Sequence, residues 1–255
     1  MRVKSLLALL LTFLALPGHA AAPLRVAAAA NLQQVFTEAL LPAFTKKTGI
    51  TVTPTYGATK VLALQVENGA PIDVFVGADT ETVQKLASDK LIIANTVQPY
   101  AIGRLVVWSR RDASRHPQTL AELANPAYAH IAYANPKTAP YGLAAEQAFA
   151  RAGLTATITP RLVQAGNIGQ ALQFAQSGNA DVALTALSLV IQDSTDPYFI
   201  VPDTLHAPIT QSLGLVRTTT QTTQALDFIR FLTSRDAAKL WKKYGYELPG
   251  RKKGK

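Results

Sequence analysis

Asn31, Thr59 and Asn167 each follow a short run of small or β-branched apolar residues and open a stretch of helical periodicity. LRVAAAA precedes Asn31, TVTPTYGA precedes Thr59 and RLVQAG precedes Asn167. A neutral polar side chain in that place is an N-cap, and Asn31-x-x-Gln34 and Asn167-x-x-Gln170 both have capping-box spacing. A helix N-terminus carries unpaired N–H groups and the positive end of the helix dipole, so several of them converging on one cleft would hold an anion. Taken singly, each is the ordinary cap of a βα unit.

Other chemistry is largely excluded. There is no cysteine, so disulfides, thiolate catalysis and cysteine metal sites are ruled out. His116, His130 and His206 have no mutual metal-ligand spacing, and His130 and His206 read as surface or loop residues. No G-x-S-x-G elbow, P-loop, G-x-G-x-x-G turn or acidic magnesium cluster occurs. Asp73 and Asp79 flank VFVGA, but at opposite ends of that strand, so they are not a carboxylate pair. An enzyme is not expected, and no cofactor or direct side-chain metal ligand is predicted.

The elements that must position the caps alternate strand and helix. Leu24 to Ala30 reads as a strand. Leu32, Val35, Phe36, Ala39, Leu40 and Phe44 then recur at helical spacing up to a stop at Gly49. A strand over Ile50 to Pro54, a helix from about Lys60 to Asn68 closed by Gly69, and the buried run IDVFVGA with Asp79 as the next cap complete one unit. A second unit follows: AIGRLVVWS as one long strand, HIAYA, a helix from Tyr141 to Ala152, LVQAG, a helix from about Ile168 to Ser177, ADVALT and a helix from about Ala186 to Gln192. PITQSLGLVR is expected to pair with AIGRLVVWS, and the chain ends in helices over Thr222 to Leu232 and Ser234 to Tyr244. This order predicts an α/β fold with open, mostly parallel sheets and ligands beyond the carboxyl ends of strands. Two lobes joined by two crossing strands fit it best: residues 21–103 with 210–250, and residues 104–209.

Residues 1–20 have a basic start, an apolar stretch from Leu6 to Leu16 and small residues before a cut after about Ala20, the pattern of a secretory signal peptide. That stretch is shorter than the roughly 20 residues that cross a bilayer. A periplasmic, monomeric protein is expected. The formal charge is +9, but Arg2 and Lys4 in the leader and Arg251, Lys252, Lys253 and Lys255 in the tail supply six of those charges. The body is only mildly basic, which argues against a nucleic-acid partner and leaves 251–255 as a basic, solvated tail.

LRVAAAANL, NGAPIDVFVGAD, YAIGRLVVWS, NPKTAPYGLAAEQA, GNIGQAL and the ELP after KKYGY resemble the periplasmic molybdate-binding proteins of ABC transporters, from about Leu24 to Pro249. The combination of GAP-x-D-V-F and NP-x-x-APYG carries most of that likeness. The resemblance implies a type II binding-protein fold that closes on molybdate or tungstate and passes it to a membrane permease. It implies ligand positions at Asn31 and Thr59 in the first lobe, and backbone donors at Tyr141 and Ile168 in the second. Neutral donors suit a dianion, which several charge-assisted hydrogen bonds can hold without a buried counter-charge.

The chain departs from the family at three positions. Asn31 stands where many members have serine, Ala186 where others have a tyrosine hydroxyl, and Lys60 where small residues are usual. Thr185 is the expected substitute for the missing hydroxyl, and Lys60 adds a cation to the site if its side chain turns inward. The alternatives are another tetrahedral anion, sulfate or phosphate, and a secreted transferase or hydrolase on the same scaffold.

Overall fold

A computed structural model describes residues 22–193 and 195–250, so the leader, its cut and the basic tail lie outside the described residues. Strand β1 (Leu24–Ala29) leads through a tight turn, Ala30–Leu32, into α1 (Gln33–Val35), a wide-turn segment Phe36–Leu40 and α2 (Leu41–Thr48). Then follow β2 (Val52–Gly57), α3 (Thr59–Glu67), β3 (Val74–Val76), α4 (Thr80–Ser88), β4 (Gln98–Gly103) and β5 (Leu105–Ser109). The middle of the chain forms β6 (Ile131–Ala134), α5 (Pro140–Arg151), α6 (Thr155–Ile158), β7 (Leu162–Ala165), α7 (Ile168–Gln176) and β8 (Val182–Ala186). Last come β9 (Tyr198–Ile200), β10 (Ile209–Leu215), α8 (Thr222–Leu232) and α9 (Arg235–Lys243).

The strands make two five-stranded sheets of the same plan, ordered β2-β1-β3-β10-β4 and β7-β6-β8-β5-β9. In each sheet the first three strands are parallel, and the fourth runs antiparallel to both its neighbours. Four strands of each sheet therefore point one way. The carboxyl ends of the parallel trios are where the first turns of α3, α5 and α7 begin, which is where open α/β sheets bind ligands.

The chain passes between the sheets twice. AIGRLVVWS is not one strand: it breaks at Arg104, leaving β4 in the first sheet and β5 in the second. β10 pairs with β4, register Ile209 to Gly103, so only the first half of that run meets PITQSLGLVR. Gly103, the last residue of β4, is closely packed: a Cβ there would lie 2.0 Å from the Tyr141 hydroxyl. Arg104 holds both crossings together, 3.3 Å from Asp203 and paired with Glu247 beyond α9.

Two other expectations change. The first long helix is regular only at its ends, because Pro42 has no N–H and its ring crowds the carbonyl four residues back, at Glu38. The wider turn over Phe36–Leu40 absorbs that clash. Ala186 to Gln192 forms only a three-residue turn, Leu187–Leu189. So short a segment cannot sustain a helix alone. It is held instead by Ser188, whose hydroxyl donates to the Asn31 carbonyl at 2.9 Å.

An aromatic cluster fastens the C-terminal helices to the first sheet. Phe44 and Phe228 lie 5.0 Å apart between ring centres, Tyr100 and Trp241 5.0 Å, and Trp241 and Tyr246 5.1 Å. Such pairs add about 0.5–1.5 kcal/mol each beyond the burial of their area. They fix the backbone around Tyr100 and Tyr246, two side chains that reach the site.

Candidate functional site

At the meeting of the two sheets is a small cleft of about 200 Å³ including its mouth, lined by Ala29, Ala30, Asn31, Gly57, Ala58, Thr59, Ala78, Ala139, Pro140, Tyr141 and Ile168. None of these side chains is charged. Glycine and alanine let the backbone approach a bound group closely. Thr59, Pro140 and Ile168 are the first residues of α3, α5 and α7. The N–H groups of Thr59, Tyr141 and Ile168 therefore have no intrahelical acceptor and sit at the positive ends of three helix dipoles. Proline at the first position of α5 removes no useful donor and presets the turn that presents Tyr141.

The cleft is drawn from both sheets, and the two sides are tied across it. Lys60 N–H donates to the Thr138 carbonyl at 3.1 Å, Ser188 to the Asn31 carbonyl, and the Gln211 amide bonds the Tyr141 hydroxyl at 3.1 Å. These contacts hold the sheets closed on the cleft.

Of the four principal sequence-derived positions, all line this cleft, but not all in the expected way. Asn167 caps α7 with its side chain accepting from Gln170 N–H at 3.0 Å, while the Gln170 side chain accepts from Gly166 N–H rather than Asn167 N–H. Asn31 is not a cap: Ala29 holds that place and makes no side-chain bond. The chain turns too tightly after β1 for the Asn31 side chain to fold back. Instead its amide is 1% exposed and reaches Gln211 at 2.9 Å and the Tyr246 hydroxyl at 2.8 Å. Thr59 is also not the cap but the first helical residue, after Ala58. Its Oγ1 accepts from Ala78 N–H at 3.0 Å, which leaves its own proton for another acceptor.

The two secondary positions do not join the cleft. Thr185 is fully buried and its hydroxyl donates to the Ile168 carbonyl at 3.4 Å, supporting α7 from behind. Lys60 is exposed. Its charge acts instead on Asp79, whose carboxyl is raised above the usual range by burial, with hydrogen bonds from Thr82 and the Lys60 charge opposing the rise. Asp79 caps α4 through Thr82 N–H at 2.6 Å. Asp73 accepts from Arg25 N–H and Thr219 and is structural. His130 is exposed, and His206, expected as a surface or loop residue, lies in the loop of the second crossing but is 3% exposed there, against the Ala207 carbonyl at 2.8 Å.

Sequence reading missed Tyr100, Gln211 and Tyr246 behind the cleft, and the part that the Tyr141 hydroxyl plays there. Gln211, on β10, is fully buried and bonds Asn31, Tyr100 and Tyr141. Burial raises the Tyr100, Tyr141 and Tyr246 hydroxyls well above the ordinary tyrosine value, so at neutral pH all three keep their protons and put no negative charge near the cleft. The available signal was Gln211 itself: a large polar side chain in the strand ITQSLGL, which lies inside its sheet, must find partners.

The family model for bacterial extracellular solute-binding proteins matches residues 24–247. The chain is 36% identical over 233 residues to the molybdate-binding protein ModA of Rhodobacter capsulatus, covering 91% of each. It is 36% identical over 231 residues to ModA of Azotobacter vinelandii, covering 89% of this chain and 91% of that protein. The solved Azotobacter vinelandii periplasmic molybdate-binding protein superposes with a TM-score of 0.85 at 32% identity, covering 89% of this chain and 100% of that one.

Proposed function

We propose, from the premise that this chain belongs to the bacterial extracellular solute-binding protein family, that its solute is molybdate or tungstate, captured in the cleft of Asn31, Thr59, Tyr141 and Ile168 and delivered to an ABC transporter permease. The chain is a solute-binding protein and not an enzyme. The observation that carries the reading is the uncharged cleft onto which three helix N-termini open. An oxyanion there accepts from N–H groups and the Thr59 hydroxyl, each hydrogen bond to a charged group contributing about 1.5–3 kcal/mol. Both secondary positions, Lys60 and Thr185, stay outside the first ring of donors on this reading.

The sheets form the cores of two lobes, 21–103 with 210–250 and 104–209, that hinge at the two crossings. The leader is cut after about Ala20, and the mature chain works in the periplasm as a monomer without a nucleic-acid partner. Sulfate or phosphate is the second reading, and the donor set separates phosphate. Near neutral pH phosphate usually carries a proton and needs an acceptor, and among the described residues no carboxylate lines the cleft. Calorimetric titration at neutral pH is expected to give molybdate binding and no measurable phosphate binding. Phosphate bound as tightly as molybdate would overturn the assignment.

Lys60→Ser is expected to leave molybdate affinity within about twofold, because the ammonium is solvated and surface charge is screened over about 8–10 Å at physiological salt. A tenfold loss in the same titration would mean that the cation faces the anion.

A further inference from the structure

The Asn31 side chain presents an unusual balance. It is buried, and its Nδ2 serves Gln211 and Tyr246, neither of which lines the cleft, while its Oδ1 has no partner. The two ends of a planar amide diverge, so the unpartnered end is the one on the cleft side. An acceptor there repels an oxyanion. Behind it the protons do not match their acceptors either. The Tyr100 hydroxyl lies 3.0 Å from the Gly77 carbonyl and 2.8 Å from Gln211 Oε1, two acceptors for one proton. The Tyr141 hydroxyl only accepts, from Gln211 Nε2 at 3.1 Å.

Turning both amides by half a rotation changes no heavy-atom distance and redistributes the protons. Gln211 Nε2 then donates to Asn31 Oδ1 and to the Tyr100 hydroxyl, which gives its own proton to Gly77. Gln211 Oε1 accepts from Tyr141. Tyr246 moves its proton from the Asn31 carbonyl, 3.0 Å away, to Asn31 Oδ1, while Ser188 still serves that carbonyl. Asn31 Nδ2, with two N–H donors, faces the cleft.

We infer that Gln211 is the positioning residue of the site: it turns as a unit with Asn31, and its orientation decides whether the cleft is met by an amide donor or an amide acceptor. This rests on the oxyanion reading above. An anion in the cleft selects the turned pair, because only that pair offers it N–H. Tyr100, Tyr141 and Tyr246 stay protonated in the neutral range and keep either arrangement hydrogen-bonded. Tyr141 joins the unit to the second sheet, so the orientation of the amides is set only when the sheets are closed.

The test is a double-mutant cycle read by molybdate calorimetry, with Asn31→Ala, Gln211→Met and the double variant. Gln211→Met is expected to weaken binding about tenfold, and the double variant to bind no more weakly than Asn31→Ala alone. Losses that multiply would show that Gln211 acts without Asn31 and would overturn the inference. So would a Gln211→Met protein that binds as the wild type does. A wild type that binds no oxyanion overturns the oxyanion reading and this inference with it. The wild type also gives an answer that needs no variant. In the molybdate-bound protein labelled with ¹⁵N, the Gln211 amide protons are expected to show nuclear Overhauser contacts to the Tyr100 ring. Contacts to the Tyr141 ring alone would overturn the inference even if Gln211→Met failed to fold.

Discussion

Asn31→Asp is expected to weaken molybdate binding by at least a hundredfold at pH 8 and by much less at pH 5. The substitution is nearly isosteric, and one carboxylate oxygen takes the place of the amide group beside Gln211 and Tyr246, where with Gln211 turned it accepts from both, so the fold survives. Its effect is on the cleft. Losing a hydrogen bond to a charged group costs about 1.5–3 kcal/mol, or roughly one to two powers of ten. An ionised carboxylate near a dianion adds repulsion of about 4 kcal/mol per pair of unit charges at 4 Å and an effective dielectric of 20. The protein can escape part of that repulsion by protonating the aspartate, so binding recovers as pH falls. Calorimetry across that pH range checks it. A uniform loss at every pH would mean that the residue only shapes the cleft, and no loss would remove Asn31 from the site.

Gly103→Ala has the second largest expected effect, although Gly103 is not among the residues that line the cleft. Its added Cβ would lie 2.0 Å from the Tyr141 hydroxyl and 2.6 Å from Gln211 Nε2, far inside contact distance. Tyr141 and Gln211 belong to opposite sides of the cleft, so closing the sheets forces the clash and opening them relieves it. Overpacking of this kind typically costs about 1–3 kcal/mol. Here that cost falls mainly on the closed state. Molybdate affinity should drop about tenfold or more, with the unliganded protein expanding in small-angle scattering. Adding Tyr141→Phe removes the nearest atom and should restore part of the affinity. Wild-type binding by Gly103→Ala would show that closure does not need this contact.

Both variants act on features of very different visibility in the sequence. Asp79 and Asn167 cap their helices as local spacing requires, and Gly49 ends α2 with φ +74°, a conformation glycine adopts freely. Alternating apolar runs give the βα order, and the cleft gathers Asn31, Thr59, Tyr141 and Ile168 at the strand ends that this order implies. What stayed hidden is non-local. Asn31 meets Gln211 and Tyr246 across 180 and 215 residues, and no spacing rule reports such a pair. The same tight turn that denied Asn31 its cap made those contacts available. The break at Arg104 is hidden for a similar reason, because the two halves of AIGRLVVWS pair with partners in different sheets, β10 and β8, far away in the chain.

The central claim is that an uncharged ring of N–H and hydroxyl donors selects a large tetrahedral dianion. It is tested most directly by thermal unfolding of the mature chain with molybdate, tungstate or sulfate at equal concentration. A ligand that binds only the folded state at about 100 times its Kd adds about 2.7 kcal/mol, which raises the melting temperature by several degrees. Molybdate and tungstate are expected to give that rise and sulfate little, since donors set for the larger anions sit too far from the smaller one. An equal rise with sulfate, or none with molybdate, would contradict the account.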